Sequence, residues 1–173
     1  MFKFLKKKEL IENKIYSPIN GKCIPIEEVP DNVFASKMMG SGVGLILSDD
    51  TIYSPCDATV SMIALTKHAI GLQAKNGAEI LIHIGLDTVQ LNGKGFSLLV
   101  NQNDKVDMGQ PIMKIDREYM EENNLNLITP LVITNSGDIN PNIICDSGNL
   151  EKGKSVLIEW QAKRRKNKTY GSY

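Results

Sequence analysis

Residues 68–85 read HAIGLQAKNGAEILIHIG and contain two apolar runs separated by one turn signal. The turn Lys75–Ala78 includes Asn76-Gly77, a dipeptide typical of two-residue hairpins because Asn and Gly tolerate positive φ. After the turn, isoleucine recurs at every second residue, at Ile80, Ile82 and Ile84. This period-two spacing is typical of a strand with one buried face. The stretch therefore predicts an antiparallel β-hairpin.

The only 2 histidines of the chain lie in this hairpin. If Lys75 pairs with Ala78, then His83 lies opposite Ile70. His68 lies two residues before Ile70 on the first strand. Such diagonal neighbours share one face of a sheet at about 7–8 Å. We therefore expect the two imidazoles to lie together, on the face opposite the isoleucines. In this register Gly85 lies across from His68 and leaves room for a bound group or a partner.

Short strands separated by turn dipeptides recur along the chain, and only Arg117–Asn124 predicts a short helix. The predicted strands are Lys22–Ile26, Val43–Leu47, Ala58–Leu65, Ile70–Ala74, Glu79–Ile84, Phe96–Val100, Pro111–Ile115, Leu131–Thr134 and Ser155–Trp160. We predict an all-β fold: one antiparallel, sandwich or barrel-like domain with very little helix. The segment 104–112 is similar to biotinyl and lipoyl carriers, which suggests hammerhead-like β-units.

Composition excludes several classes of protein. The chain has 173 residues, 42% of them hydrophobic and 23% charged, which is typical of one globular domain. Its 20 basic and 20 acidic residues balance, so no overall charge favours nucleic acid, and we expect no nucleic-acid partner. Three widely spaced cysteines and the lack of a secretory signal predict a cytoplasmic protein with reduced thiols.

The two ends differ in composition from the middle. Residues 1–15 are predicted to form a flexible, Lys-rich leader with at most weak contact to a membrane surface. Residues 16–161 are predicted to form the folded domain, and residues 162–173 a basic, disordered tail.

Side by side, the two imidazoles could do three kinds of chemistry. One could carry a phosphoryl group while the other donates a hydrogen bond to it. His68 and His83 could instead bind zinc, or act as an acid/base pair. Spacing alone does not separate these alternatives.

The sequence motifs around the histidines resemble those of a known protein family. Thr66-Lys67-His68-Ala69, followed by residues 79–89 (EILIHIGLDTV), is similar to the signature of the EIIA component of the glucose family of the bacterial sugar phosphotransferase system. Residues 27–35, 39–42, 91–96 and 127–135 resemble other segments of that family. The resemblance covers the chain from about residue 16 to residue 160.

The resemblance implies a phosphocarrier with an antiparallel β-sandwich fold and no cofactor. His83 would accept a phosphoryl group from the carrier protein HPr and pass it to a cysteine of a sugar-specific EIIB domain. His68 would stabilise the phosphoryl group, Thr66 would orient His68, and Asp87 would supply a positioning or docking carboxylate.

Partner docking would use an apolar rim, for which the alternation and the resemblance together nominate Leu81, Ile84, Val33, Phe34 and Val89. Leu81 and Ile84 replace phenylalanines of the enteric relative, so its partner preferences, including its regulatory partners, do not carry over.

Two other classes of protein remain as alternatives. A LytM-like zinc hydrolase also combines β-units with histidines, but it requires an H-x-H pair and a further His–Asp that this sequence lacks. A lipoyl or biotinyl carrier would use Lys75 at the hairpin tip, but Ala74-Lys75-Asn76 matches the motif of those carriers poorly.

Overall fold

The computed structural model of the protein describes residues 12–162. Within these residues the chain forms three sheets, and the strand pairs in them are antiparallel. The helices are short, the longest being the six residues of Arg117–Glu122. The predicted all-β, antiparallel fold with little helix is confirmed.

The strands are β1 Lys14–Tyr16, β2 Gly21–Pro25, β3 Ser41–Leu47, β4 Thr51–Tyr53, β5 Ala58–Ile63, β6 Ala69–Ala74, β7 Glu79–His83, β8 Phe96–Leu98, β9 Lys105–Val106, β10 Pro111–Ile115, β11 Thr129–Ile133, β12 Asn142–Ile143, β13 Gly148–Leu150 and β14 Val156–Glu159. The helices are α1 Asn32–Ala35, α2 Arg117–Glu122 and α3 Ser136–Ile139, with 3₁₀ turns at Ile26–Glu28 and Thr88–Leu91. Each of the nine predicted strands overlaps an observed one, and the predicted helix corresponds to α2.

One large sheet carries the site. Its eight strands run in the order β13-β2-β3-β11-β7-β6-β5-β9, while β1-β14-β12 and β4-β10-β8 form two smaller sheets. Side chains from both smaller sheets, such as Ile52, Ile112 and Leu157, join those of the large sheet in one hydrophobic cluster, called here the main core. The sheets therefore pack face to face as a sandwich, and none of them closes into a barrel.

The other face of the large sheet carries a second apolar group, called here the site-side cluster. Its buried members are Ile26, Val29, Phe34, Ala69, Leu81, Leu86 and Val132. Strand β7 contributes to both groups, since Ile80 and Ile82 lie in the main core and Leu81 lies in the site-side cluster. The alternation predicted for this strand is confirmed, and it points the residue at position 83 away from the main core.

The predicted register of the β6–β7 hairpin is wrong by one residue. His83 lies opposite Ala69, and Ile70 lies opposite Ile82. The loop has three residues, because Ala74 rather than Lys75 pairs with Ala78 through its backbone. A type I′ turn requires a positive φ at both central residues. Gly77 has a positive φ of 94°, but Asn76 does not have a positive φ.

The predicted leader extends two residues too far. Lys14 and Ile15 lie in β1, and Ile15 is fully buried against the main core. The rest of the leader up to residue 11, and the tail from residue 163, lie outside the described residues. Among the residues that the structure describes, no helix is long and apolar enough to cross a membrane.

Candidate phosphoryl-transfer site

The two histidines meet at one edge of the site-side cluster. Their ring centroids are 5.0 Å apart and the rings are nearly perpendicular, with an interplanar angle of 75°. The ring of Phe34 lies 5.1 Å from that of His83 on another side. Phe34 belongs to α1, whose first turn is capped by the Asp31 carboxylate accepting from the Val33 N–H. The predicted proximity of the histidines is confirmed.

The route to that proximity differs from the predicted one. Because His83 pairs with Ala69, a regular strand would turn the side chain of His68 to the opposite face. Strand β6, however, begins only at Ala69, and Lys67 just before the histidine is left-handed with φ 58°. This bend frees His68 from the alternation of the strand. The ladder still extends to its backbone, since the Ile84 N–H donates to the His68 carbonyl at 2.7 Å.

Thr66 contacts the ring of His68. Its Oγ1 lies 2.6 Å from Nδ1 of His68, so the hydroxyl can either donate to that nitrogen or accept from it. Burial and, secondly, the neighbouring His83 lower the pKa of His68 below its usual value of about 6.5. The lowered pKa favours the neutral imidazole of His68, which presents one N–H.

His83 is held by a different kind of partner. Its Nδ1 lies 2.8 Å from the carbonyl oxygen of Gly85. A carbonyl only accepts hydrogen bonds, so Nδ1 must carry the proton when this bond is made. In the neutral ring, Nε2 then keeps its lone pair. The arrangement leaves Nε2 as the nitrogen of His83 with an available lone pair.

Gly85 has a role other than the one predicted from its position. It does not face His68, and its φ of +72° lies in the region that favours glycine. A Cβ there would come within 2.6 Å of Thr88 Cγ2 and 2.9 Å of the Asn126 carbonyl oxygen. The absent side chain therefore allows a tight turn that aims the Gly85 carbonyl back at His83.

Asp87 does not continue the odd face of β7, as the sequence led us to expect. The strand ends at His83, and Asp87 is an exposed residue with φ 58° at the start of the 3₁₀ turn Thr88–Leu91. It lies four residues after His83, beyond the turn at Gly85. A docking role is compatible with this exposure.

The predicted apolar rim is only partly at the surface. Val33 and Val89 are exposed, at 45% and 53% of their area. Phe34 and Leu81 are buried in the site-side cluster, beneath the surface. Ile84 is fully buried in the main core, so its nomination as a docking residue was wrong. It continues the isoleucine face of β7, which packs inward.

Sequence reasoning missed other exposed apolar residues that lie close in sequence to residues of the site. Leu65 is fully exposed and directly precedes Thr66, and Met38 is 75% exposed after α1. Leu65 was missed because the predicted strand Ala58–Leu65 included it. In the structure β5 ends at Ile63, and Leu65 lies in the following turn. Exposed large apolar side chains of this kind are a signal of a protein-binding surface.

A metal centre finds little support. Within residues 12–162 there is no group of three or more His, Cys, Asp or Glu side chains that could hold a metal ion. His68 and His83 offer two imidazole ligands, fewer than the three protein ligands typical of catalytic zinc.

Comparisons with known proteins agree with the geometry. Residues 13–139 match the family model described as phosphoenolpyruvate-dependent sugar phosphotransferase system, EIIA 1. The chain is 45% identical over 162 residues to the glucose-specific EIIA component of Staphylococcus epidermidis, covering 92% of this chain and 98% of that protein. It is 46% identical over 144 residues to the glucoside-specific EIICBA component of Staphylococcus carnosus, covering 83% of this chain but 21% of that protein.

A solved structure is also similar. The glucose permease IIA from Mycoplasma capricolum superimposes with a TM-score of 0.76 at 33% identity, covering 84% of this chain and 94% of that one. The similar domain thus exists as a separate protein and as one part of much longer proteins. The comparisons give no support to a LytM-like hydrolase.

Proposed function

Because the chain belongs to the EIIA 1 family of the phosphoenolpyruvate-dependent sugar phosphotransferase system, we propose that it is a phosphocarrier in which His83 accepts the phosphoryl group and His68 assists. The donor would be phospho-HPr, and the acceptor a cysteine of a sugar-specific EIIB domain. The hydrogen bond from His83 Nδ1 to the Gly85 carbonyl carries this assignment, since it leaves Nε2 free to attack.

The transfer step balances without a cofactor. The lone pair of His83 Nε2 attacks the phosphorus of phospho-HPr, the N–P bond of the donor breaks, and its electron pair returns to the donor imidazole. Phosphorylated on Nε2 and protonated on Nδ1, the His83 ring remains hydrogen-bonded to Gly85. The next transfer runs the same way to the thiolate of the EIIB cysteine, so the chain performs no net turnover by itself.

His68 would stabilise the charge that develops on the phosphoryl oxygens. If Thr66 donates to Nδ1 of His68, then Nε2 of His68 carries the proton. Because the two ring centroids are 5.0 Å apart, this N–H can donate to a phosphoryl group on His83. A donor placed in advance costs no reorganisation during the reaction. The lowered pKa of His68 supports a neutral donor and avoids placing two cationic rings together.

Partners would dock on the apolar surface around the pair. Val33, Met38, Leu65 and Val89 supply exposed apolar area, and each is close in sequence to a residue that contacts or supports the histidines. Burying this area would exclude water, which would otherwise hydrolyse the phosphohistidine. Asp87 is proposed as a charged contact at the edge of the same surface.

The longer relatives support the EIIB partnership. In the glucoside-specific EIICBA component of S. carnosus the similar domain is one part of a longer chain, whose name also includes B and C parts. We propose that this chain works in the cytoplasm, as the carrier between HPr and an EIIB domain.

The test is reconstitution with phosphoenolpyruvate, Enzyme I and HPr, followed by intact-mass measurement. Wild-type protein should gain one phosphoryl group, and His83→Ala should gain none. Gln73→Ala, an exposed position on β6 of the same hairpin, is the matched control and should behave as wild type. Normal labelling of His83→Ala would falsify the assignment.

A further inference from the structure

The peptide groups on either side of Gly85 are held by residues outside the histidine pair. The Ile84–Gly85 peptide donates its N–H to Thr129 Oγ1 at 3.3 Å and accepts through its carbonyl from Thr88 Oγ1 at 2.6 Å. Both threonines are fully buried, with no exposed area. Two hydroxyls from separate segments, the 3₁₀ turn Thr88–Leu91 and β11, therefore fix the two ends of one peptide.

The next peptide is the one that contacts His83. The Gly85 carbonyl accepts from His83 Nδ1 at 2.8 Å, and the N–H of the same peptide, that of Leu86, donates to the Asn126 carbonyl at 2.8 Å. Hydrogen bonds on both ends of a peptide polarise it and strengthen each other. The orientation of this peptide depends on the preceding one, because Gly85 joins them and glycine is the residue least able to hold a conformation by itself.

The hydroxyls have partners that exclude other roles. Thr129 Oγ1 donates to the Leu127 carbonyl at 2.9 Å, so it is left to accept from the Gly85 N–H. Thr88 Oγ1 uses its proton on the Ile84 carbonyl. Its methyl group packs where a Cβ of Gly85 would lie. The hydrogen bonds of both hydroxyls within residues 12–162 go to backbone groups, so their effect on the chemistry passes through the backbone.

We propose that Thr88 and Thr129 are positioning residues for the phosphoryl transfer, because they hold the turn that aims the Gly85 carbonyl at His83. This inference rests on the proposed function. Without either hydroxyl the turn gains a buried, unpaired peptide group and relaxes, and the Gly85 carbonyl moves off Nδ1. The His83 ring then spends part of its time with the proton on Nε2, and in that form Nε2 has no free lone pair with which to attack.

The test compares Thr88→Val and Thr129→Val, which keep the shape and remove the hydroxyl, with the matching Ser variants, which keep the hydroxyl. Side-chain ¹⁵N NMR about two pH units above the usual imidazole pKa of about 6.5 reports the tautomer of His83. The Val variants should lose the pure Nδ1–H state, and their rate of phosphorylation by phospho-HPr should fall about tenfold or more. The Ser variants should keep both properties.

Thr51→Val is the matched control for a lost buried hydroxyl. Thr51 lies in β4, is 7% exposed and donates to Asp50 at 2.7 Å, on the side of the sandwich formed by the smaller sheets. It should change unfolding stability but neither the tautomer nor the rate. Should Thr88→Val fail to fold, Thr129→Val, which removes the longer of the two bonds, decides the question.

Two results would overturn the inference: Val variants with the wild-type tautomer and rate, or an equal loss of rate in Thr51→Val. If the wild-type chain itself takes up no phosphoryl group, the proposed function fails. The ¹⁵N measurement still decides in that case whether the threonines fix the His83 tautomer.

Discussion

The two histidines of the site are 5.0 Å apart, yet the chain holds them in different ways. His83 ends a strand and donates to a backbone carbonyl, which can only accept. His68 follows a left-handed residue and contacts a threonine hydroxyl, which can donate or accept. In the proposed mechanism the fixed partner leaves His83 one nitrogen able to attack, and the adaptable partner lets His68 donate to a phosphoryl group that arrives and leaves. The proposed roles differ because the hydrogen-bond partners of the two rings differ.

Removing the assisting ring should have the largest effect among changes that leave the nucleophile in place. We expect His68→Ala to accept the phosphoryl group from phospho-HPr but to pass it to EIIB about 10²–10³-fold more slowly, the cost of losing one preorganised donor. Single-turnover transfer from the purified phosphoprotein measures this. Transfer at the wild-type rate would remove His68 from the mechanism.

Disturbing the support of His83 should be the next largest change. In Gly85→Ala the new Cβ meets Thr88 and the Asn126 backbone in a left-handed conformation, so the turn must shift. A displacement on the order of 1 Å should slow phosphorylation of His83 by about 10²-fold.

The hairpin offers a matched control for this variant. Gly77 also has a positive φ, of 94°, but a Cβ there would meet nothing within 4 Å. Gly77→Ala should therefore lose some stability to backbone strain and keep its rate of phosphorylation. Equal losses of rate in the two variants would show that strain alone, and not the aim of the Gly85 carbonyl, explains the effect.

Weakening the support of His68 should cost less, because the ring itself remains. Thr66→Val removes the hydroxyl 2.6 Å from Nδ1, and we expect transfer to EIIB to slow by about tenfold, on the order of one lost hydrogen bond. Thr66→Ser should retain the wild-type rate. The same single-turnover assay compares the two, and a Val variant as fast as the Ser variant would exclude an orienting role.

The sequence allowed part of this comparison to be predicted. Period-two isoleucines placed β7 and its buried face correctly, and the same alternation turned His83 outward. The register was wrong because Asn76 is drawn into tertiary contacts: its side-chain amide donates to the Glu12 and Lys14 carbonyls, across more than 60 residues. Local turn preference could not include those bonds.

Other features left no local signal in the sequence. Strands of two or three residues, such as β9 and β12, are too short to show an alternation. The left-handed Lys67 was unforeseeable, since lysine seldom takes positive φ. Thr88 and Thr129 lie 41 positions apart and meet the same peptide only through the fold. The resemblance named both histidines and Thr66 as the partner of His68, but the Gly85 carbonyl as the partner of His83 required the structure.

Acid should lower the stability of the chain through His68, and this is the smallest expected effect. Burial and the nearby His83 lower the pKa of His68, so the unfolded chain binds its proton more readily than the folded one does. Stability from this group is therefore present above about pH 6.5 and lost as the pH falls below it. Urea unfolding at several pH values should show this loss in the wild-type chain and a weaker one in His68→Ala.

The position of the phosphoryl group on the labelled protein tests the unequal roles most directly. After phosphorylation through Enzyme I and HPr, ¹⁵N and ³¹P NMR of the histidine side chains identifies the nitrogen bonded to phosphorus. The hydrogen bond to Gly85 predicts a single adduct on Nε2 of His83, with Nδ1 still protonated. An adduct on Nδ1 of His83, or on either nitrogen of His68, would contradict the account.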